Sequence, residues 1–151
     1  MVRDAVGQEL APPLRRYGFE CGTPLVEPHH AMFTVVRQDL AIAVLYSLRD
    51  GLCCFLERGS LDVVYARKPF HFGGVPSANI DVVLEQRGAS WQEFNSREFR
   101  RRVDAWDEAA IRERVRWWAS QLVARCQDLL RGDLDADPKI PWQSFGRRED
   151  S

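Results

Sequence analysis

The sequence DEAAIRERVRWWASQLVARCQDLLRG, residues 107–132, carries the longest helical pattern of the chain and is the starting point for predicting the fold. Its apolar residues recur at intervals of three and four, which places them on one face of an α-helix: Ile111, Val115, Trp118, Leu122, Cys126 and Leu129. Asp107 and Glu108 suit the positive N-terminal end of such a helix, and Gly132 suits the left-handed conformation that ends one. A helix of about 24 residues is on the order of 36 Å long, so other elements must cover its apolar face.

The composition is typical of a folded domain. The chain has 151 residues, of which 45% are hydrophobic and 28% charged, and its formal net charge is −1 at pH 7. These values predict one domain over residues 1–151 and give no general attraction to nucleic acid or to anionic membranes. No apolar run reaches the ~18 residues of a membrane span, and the opening MVRDAVGQELAPPL lacks the apolar core of a signal peptide. We therefore expect a cytoplasmic protein with no membrane partner.

A first helix is predicted close to the N-terminus. Side chains recur there at helical spacing: Val6, Leu10, Leu14 and Tyr17. Pro12 and Pro13 interrupt this pattern, because a proline lacks the N–H that a helix interior needs. Since the pattern continues beyond the prolines, we expect a kinked helix that ends at Gly18.

An antiparallel sheet is predicted next. Four stretches rich in apolar and β-branched residues follow one another with short turns between them: Ala31–Arg37, Leu40–Leu48, Leu52–Arg58 and Leu61–Ala66. Asp50-Gly51 is a strong hairpin signal, and a short edge strand is expected around Leu25 and Val26. Residues 80–85, IDVVLE, fit either a fifth strand or a helical turn. The prediction is thus a meander of four to five strands.

The C-terminal third is predicted to be helical. Ser90 and Glu93 fit a capping box that opens a helix through about Val103, ahead of the long helix. The tail, residues 133–151, has no period but contains apolar side chains that are costly to expose, so we expect it to dock on the domain: Ile140, Trp142 and Phe145. The predicted class is α+β, with an N-terminal helix, the meander, and two C-terminal helices of which the long last one packs across the sheet.

Three histidines and a cysteine are the candidate metal ligands: His29, His30, His71 and Cys21. They could together form a zinc site, but their spacing matches no known ligand pair, and adjacent histidines in an extended segment point apart. An exposed pair of loop histidines is the favoured interpretation, so no metal and no cofactor is predicted.

A cysteine enzyme is the related alternative. Cys53 or Cys54 with His71 and Asp62 supplies the residue types of a nucleophile, a base and an orienting carboxylate. No signature of a cysteine or serine enzyme surrounds them, and isolated cysteines of a cytosolic protein usually behave as small apolar residues. A metal-dependent or cysteine enzyme using the His29, His30 and His71 region therefore remains an alternative hypothesis.

The arginines of residues 97–116 raise a second alternative, a nucleic-acid-associated factor. This stretch holds seven arginines against five acidic residues, a net +2. Glu108 and Arg112 are placed for a helix-stabilising ion pair. A solvated, salt-bridged helix face explains the pattern better than phosphate binding does.

The tryptophans indicate a binding role more clearly than these arginine-rich helix faces do, because Trp and Arg are enriched at the energetic centres of protein interfaces. Trp117 and Trp118 lie about 100° apart around a helix, so both cannot be central on its apolar face. Trp118 is assigned to the core. Trp117 either borders the core, covered by the tail through Trp142, or is exposed beside Arg114. The candidate residues for binding a protein partner are Trp117, Arg114, Trp106 and Arg101.

The layout resembles a group of small bacterial α+β domains. The likeness rests on a first helix that ends in Gly18-Phe19, a meander, and a last helix that closes with LLRGD at residues 129–133. Some of these families are immunity proteins of polymorphic-toxin systems. The resemblance implies a non-catalytic protein that binds and occludes a partner toxin, and it implies no shared catalytic residues. We therefore expect a cytosolic protein-binding module whose oligomeric state is open.

Overall fold

The protein is an α+β fold, as predicted, in a computed structural model that describes residues 1–59 and 76–143. The helical run α1, residues 2–17, has four segments: Val2–Ala5, Val6–Leu10, Ala11–Leu14 and Arg15–Tyr17. Six strands follow: β1 Glu20–Cys21, β2 Leu25–Glu27, β3 His30–Val36, β4 Leu40–Ser47, β5 Gly51–Arg58 and β6 Ser77–Asn79. The remaining helices are α2 Ile80–Gln86, a 3-10 turn Gln92–Asn95, α3 Arg97–Asp104, α4 Glu108–Arg125 and α5 Gln127–Leu130.

The strands form one antiparallel sheet in the order β1-β3-β4-β5-β6, with β2 also paired to β3. Both β1 and β2 lie on the edge of β3 that β4 does not occupy, with Cys21 opposite Val35 and Leu25 opposite Met32. The edge strand expected around Leu25 is thereby confirmed, and so are the hairpins that join β3 to β4 and β4 to β5. The expected strand at 61–66 lies outside the described residues.

The alternatives left open for residues 80–85 are resolved in favour of a helix. The strand at this place is shorter and earlier, Ser77–Asn79, and pairs with β5. Asn79 then caps α2 by accepting a 2.8 Å hydrogen bond from the N–H of Asp81 through its side-chain oxygen. The chain thus turns from sheet edge to helix within one residue.

The helices cover one face of the sheet. Cross-strand neighbours Val35, Ile42, Leu56 and Ala78 form one row of that face and belong to the main hydrophobic core. The same core contains fully buried residues of the C-terminal half, among them Trp118. Core residues therefore come from both ends of the chain, from Val2 to Ile140.

The kink expected in α1 takes the form of a π-helical segment, Val6–Leu10, placed just before the two prolines. Pro12 and Pro13 have no N–H to donate to the carbonyls four residues earlier, and those carbonyls lie within this segment. The run ends at Gly18, whose φ of 89° is left-handed, as predicted.

The long C-terminal helix is shorter than predicted, because it is interrupted at Cys126. Helix α4 begins at the cap Asp107 and spans 18 residues, and Cys126 then has φ −124° and ψ 33°. The side-chain Nε2 of Gln127 donates a 2.7 Å hydrogen bond to the carbonyl of Val123. That carbonyl would accept the Gln127 backbone N–H in a continuous helix, so the side chain replaces the backbone donor at the break.

The capping box predicted at Ser90 is not formed. Trp91 precedes a 3-10 turn, Gln92–Asn95, and the helix starts later, with Ser96 accepting a 3.1 Å hydrogen bond from the N–H of Phe99. The early turn brings Phe94 into the core, where its ring lies 5.0 Å from that of Phe99. Burial of the Phe94 ring thus overrides the local capping signal.

The described part of the tail, residues 133–143, docks on the domain. Ile140 is buried and Trp142 packs against the core, whereas Phe145 lies outside the described residues. Ser77 and Gln143 exchange two backbone hydrogen bonds of 2.7 and 2.8 Å, so the tail forms an isolated β-bridge to β6.

Candidate functional site

A cleft of about 480 Å³ opens between the β4–β5 hairpin and the helices α2 and α3. Arg114 of α4 and Asp81 of α2 are among the residues that line it. Trp91 and Phe94 contribute aromatic side chains to its wall, and Leu48 of the hairpin also lines it. A volume of this size suits a small organic ligand or an inserted side chain.

Asp81 joins two side chains of α4. One carboxylate oxygen lies 2.5 Å from Nη2 of Arg114, and the other accepts a 2.9 Å hydrogen bond from Nε1 of Trp118. The cap at Asn79 fixes the first turn of α2, and so places Asp81 opposite α4. This ion pair is largely withdrawn from solvent, since the Arg114 side chain is only 7% exposed and that of Asp81 only 17%.

Arg114 is also surrounded by aromatic rings. Its guanidinium carbon lies 4.6 Å from the ring centre of Phe94, 5.2 Å from that of Trp117 and 4.4 Å from that of Trp118. Burial lowers the pKa of Arg114, an effect that Asp81 opposes, and an arginine stays protonated at neutral pH. Among the described residues, Nη1 of Arg114 has no hydrogen-bond partner although it is buried.

The sequence contained a signal for this burial that the prediction did not use. Position 114 is three residues after Ile111 and four before Trp118, so it belongs to the apolar face of α4. A charged residue on such a face requires a buried partner. Nothing in the local pattern identifies that partner as Asp81, because the two residues meet only through tertiary packing.

The four residues predicted to bind a partner differ in their exposure to solvent. Arg114 is buried, Trp117 is half-buried with its ring 5.3 Å from that of Phe94, and Arg101 and Trp106 are exposed. Trp117 borders the core, as in the first placement considered, and lies beside Arg114, as in the second.

Trp106 is the exposed member with the most distinctive geometry. It lies in the turn between α3 and α4, with 44% of its surface exposed. Its φ is 58°, and it is the only non-glycine residue with positive φ in the described part of the chain. Its ring centre lies 4.3 Å from that of Tyr46. The turn is held by Arg102, whose Nε donates a 2.8 Å hydrogen bond to Asp107.

The candidate metal ligands are not brought together where they are described. Cys21 is opposite Val35, near one end of β3, whereas His30 begins that strand. Five residues of strand separate these positions by about 17 Å. Within residues 1–59 and 76–143 there is no group of three His, Cys, Asp or Glu side chains able to hold a metal. His71 lies outside these residues, so the metal hypothesis is not decided.

The candidate nucleophiles lie on opposite faces of β5, as alternation predicts. Cys54 is buried and Cys53 half-buried, and burial raises the pKa of both thiols. A raised pKa disfavours the thiolate that nucleophilic catalysis needs. Their proposed partners, His71 and Asp62, lie outside the described residues.

Three of the four arginines of α4, Arg112, Arg114 and Arg116, are paired with carboxylates. Arg112 lies 3.2 Å from Glu108, as predicted, and 3.6 Å from Glu9 of α1, while Arg116 lies 3.0 Å from Glu9. These ion pairs support a salt-bridged helix surface rather than a phosphate-binding one.

Comparison with family models, with curated proteins and with solved structures finds no match to this chain. No helix within the described ranges has the combination of length and apolarity that crossing a membrane requires.

Proposed function

We propose that the protein is a non-catalytic, cytoplasmic protein-binding module that occludes a partner, in the manner of an immunity protein, and that Trp106 is the centre of its binding surface. The observation that carries this proposal is the position of the Trp106 ring, which is part-exposed to solvent on a left-handed backbone and packs against Tyr46 at an angle of 42° between the rings. The free thiols of all four cysteines fit a cytoplasmic location.

The backbone of Trp106 supports a functional role for its side chain. A left-handed conformation in a bulky residue costs about 1–3 kcal/mol, and strained residues are concentrated at functional sites. Glycine or asparagine would adopt the same left-handed conformation at a lower energetic cost. Retaining a tryptophan there therefore carries a backbone cost that glycine or asparagine would avoid.

Two other exposed apolar side chains belong to, or directly follow, the strands around Tyr46, the residue that Trp106 contacts. Val26 is opposite Ala31, which is opposite Tyr46, so all three share the face of the sheet on which the Trp106 ring lies. Val26 is 69% exposed, and Leu48 at the start of the β4–β5 turn is 66% exposed. We call Val26, Leu48 and Trp106 the Trp106 patch. An aromatic residue among apolar neighbours is typical of an interface centre.

The first experiment compares two variants that replace an exposed apolar side chain with an amide. Trp106→Asn removes the ring but suits the left-handed backbone, so the variant should fold with unchanged or raised stability. Val82→Gln alters a valine of α2 that is 41% exposed and lies outside the Trp106 patch. A partner is isolated from the native host with the wild-type protein and purified, and its affinity is then measured by calorimetry.

Trp106→Asn should weaken the complex at least about thirtyfold, the effect of losing a hot-spot tryptophan, whereas Val82→Gln should bind as the wild type does. Wild-type affinity in folded Trp106→Asn would refute the binding surface. Failure to obtain any stoichiometric partner would count against the binding module itself.

The immunity role has a separate test. The isolated partner is expressed alone and then together with the wild-type protein or with Trp106→Asn. A toxin should arrest growth when expressed alone, and the wild-type protein but not the variant should restore growth. A partner that is harmless when expressed alone would refute the immunity role and leave a binding module of another kind.

A further inference from the structure

We propose that a groove between the π-helical segment of α1 and the β1–β3 edge of the sheet is a binding site for a small, uncharged, hydrophobic compound. Among the residues that line this groove, which we call the α1 groove, are Val6, Gly7, Cys21, Pro24 and Phe33. The site goes beyond the proposed protein-binding function and does not depend on it.

The α1 groove lies on the face of the sheet that the helices cover. Cys21 is opposite Val35, a residue of the main hydrophobic core. Phe33 is likewise opposite the core residue Val44. Cys21 is nevertheless exposed, and Phe33 is only partly buried. The helical layer therefore leaves part of this face accessible beside α1.

The walls of the α1 groove are mostly apolar. Val6 of α1, Pro24 of the β1–β2 connection and Phe33 of β3 contribute apolar side chains. The N–H of Gly22 donates a 2.8 Å hydrogen bond to the carbonyl of Thr34, which holds the connection against β3. The groove has a volume of about 360 Å³, within the usual range of small-molecule sites. About twelve water molecules occupy that volume in the liquid, so a ligand of about ten non-hydrogen atoms would fill most of it.

Gly7 contributes a wall position that has no side chain. Its φ is not left-handed, so the backbone conformation does not require glycine there. A Cβ atom added to it would meet no heavy atom within 4 Å outside its own helix and chain neighbours, so close packing does not require glycine either. Glycine within a helical run is destabilising relative to alanine. Space for an occupant of the groove accounts for a glycine that neither conformation nor packing requires.

The backbone of this wall is also irregular. Val6, Gly7 and Gln8 line the α1 groove and belong to the π-helical segment Val6–Leu10. Such segments within helices are found frequently at functional sites. The groove is thus formed where the backbone of α1 departs from regular helical geometry.

The charges at the α1 groove favour an uncharged ligand. Arg3 and Asp4 are the charged residues that line it, and their formal charges cancel. A charged ligand would meet no net opposite charge and would lose hydration against the apolar walls. A neutral hydrophobic compound gains from burial against the same walls without that cost.

The test uses three probes that share a benzyl group and differ only in its substituent: ethylbenzene, phenylacetate and benzylammonium. Binding to the full-length protein is measured by saturation-transfer NMR at pH 7. Ethylbenzene should bind in the millimolar range or more tightly, and each charged probe should bind at least about tenfold more weakly. Equal or tighter binding of either charged probe would overturn the assignment to uncharged compounds. No binding of ethylbenzene would overturn the site.

The thiol of Cys21 reports where ethylbenzene binds. At a concentration equal to its dissociation constant, ethylbenzene should slow the alkylation of Cys21 by iodoacetamide about twofold, because half of the sites are then occupied. Cys53 is the internal control, since it is half-buried and does not line the α1 groove, and its rate should not change. An unchanged rate at Cys21, or equal slowing of both thiols, would overturn this location of the site.

Gly7→Leu narrows the α1 groove, and Ser120→Leu is the matched control. Leucine is a strong helix former and position 7 has open space, so Gly7→Leu should fold. Ser120 is exposed on α4 and does not line the groove. Ethylbenzene binding should fall at least about tenfold in Gly7→Leu and persist in Ser120→Leu.

Wild-type affinity for ethylbenzene in folded Gly7→Leu would overturn the α1 groove as the site. If Gly7→Leu does not fold, the alkylation of Cys21 in the wild-type protein still decides the matter.

Discussion

Nη2 of Arg37 donates a 3.0 Å hydrogen bond to the carbonyl oxygen of Leu129, a residue 92 positions further along the chain. Nη1 of Arg37 also donates to the carbonyls of Tyr17, at 3.1 Å, and Leu130. The C-terminal ends of α1 and α5 are therefore held by one side chain at the end of β3. Asp39 fixes that side chain, with 2.6 Å between its Oδ1 and Nε of Arg37.

Replacing Arg37 with methionine should cost about 2–4 kcal/mol of unfolding free energy. The substitution leaves the carbonyls of Tyr17, Leu129 and Leu130 without this donor at two helix ends. Urea denaturation should show a lower midpoint with an unchanged slope. Arg16→Met is the control, because the exposed Arg16 donates a hydrogen bond to the hydroxyl of the neighbouring Tyr17 and holds no helix end, so this substitution should change stability by less than about 0.5 kcal/mol. Equal effects of the two substitutions would contradict this account.

Arg87 should make the protein sensitive to acid. Its guanidinium lies 2.7 Å from Asp128 of α5 and 2.9 Å from Asp137 of the tail. The hydrogen bond from Arg87 is the main cause that lowers the pKa of Asp128 below its ordinary 3.8. A carboxyl with a lowered pKa stabilises the fold above its ordinary pKa, and this contribution is lost as the pH falls through the lowered value.

Arg87→Met should therefore lower stability at neutral pH by about 1–3 kcal/mol and flatten its decline upon acidification. Thermal unfolding followed by circular dichroism from pH 7 to pH 3 measures both effects. A parallel decline of the wild type and the variant would show that Arg87 is not the source of the acid sensitivity.

The four thiols should differ widely in reactivity. Cys21 is exposed, whereas Cys54 and Cys126 are buried, and burial raises the pKa of Cys126 to about 11. Iodoacetamide reacts with the thiolate, so at pH 8 the folded protein should be alkylated first at Cys21 and at Cys126 only after unfolding. Peptide mass spectrometry gives the order. Rapid modification of Cys126 at native conditions would refute the packing of the α4–α5 junction.

Cys126 should also weaken the fold at high pH. The unfolded thiol ionises near its ordinary value of 9.0, before the folded one. Stability is therefore expected to fall as the pH rises from about 9 towards 11, and Cys126→Ala should reduce that part of the slope.

Replacing either of two glycines in the N-terminal region with alanine should change the stability of the fold, in opposite directions. Gly7 lies within the π-helical segment with open space around its Cβ position, and its φ is not left-handed. Gly7→Ala should stabilise the protein by about 0.5–1 kcal/mol, because alanine loses less backbone entropy on folding. Gly18 has a φ of 89°, so Gly18→Ala should cost about 1 kcal/mol or more. Calorimetric melting temperatures measure both, and a shift of the same sign would contradict these backbone assignments.

The sequence allowed the fold class and the meander of β3, β4 and β5 to be predicted because both follow from local patterns. Alternating and continuous apolar stretches with turn residues between them define β3, β4 and β5. The interruption at Cys126 could not be seen in the same way. The apolar spacing continues through Cys126, from Leu122 to Leu129. The hydrogen bond from the Gln127 side chain to the carbonyl of Val123, which replaces a backbone hydrogen bond, exists only because the helix is interrupted there.

The site was less predictable, since it depends on residues that meet only in three dimensions. Arg114 and Asp81 are 33 positions apart, and Asp81 belongs to a segment whose pattern fitted strand and helix equally. Charge and composition suggested a surface role for Arg114, whereas its helical position indicated burial. Trp106 is exposed because it lies in the turn between α3 and α4. No sequence pattern indicated that a residue of this turn would have a left-handed backbone.

The bridge between Ser77 and Gln143 gives the C-terminal segment a protective role. Within residues 1–59 and 76–143, β6 is the last strand of the sheet, and such an edge presents backbone donors and acceptors with which a strand of a second molecule can pair. Here the chain's own tail occupies part of that margin. A protein shortened before residue 133 would thus lose more than the burial of Ile140, because it would expose a template for edge-to-edge aggregation.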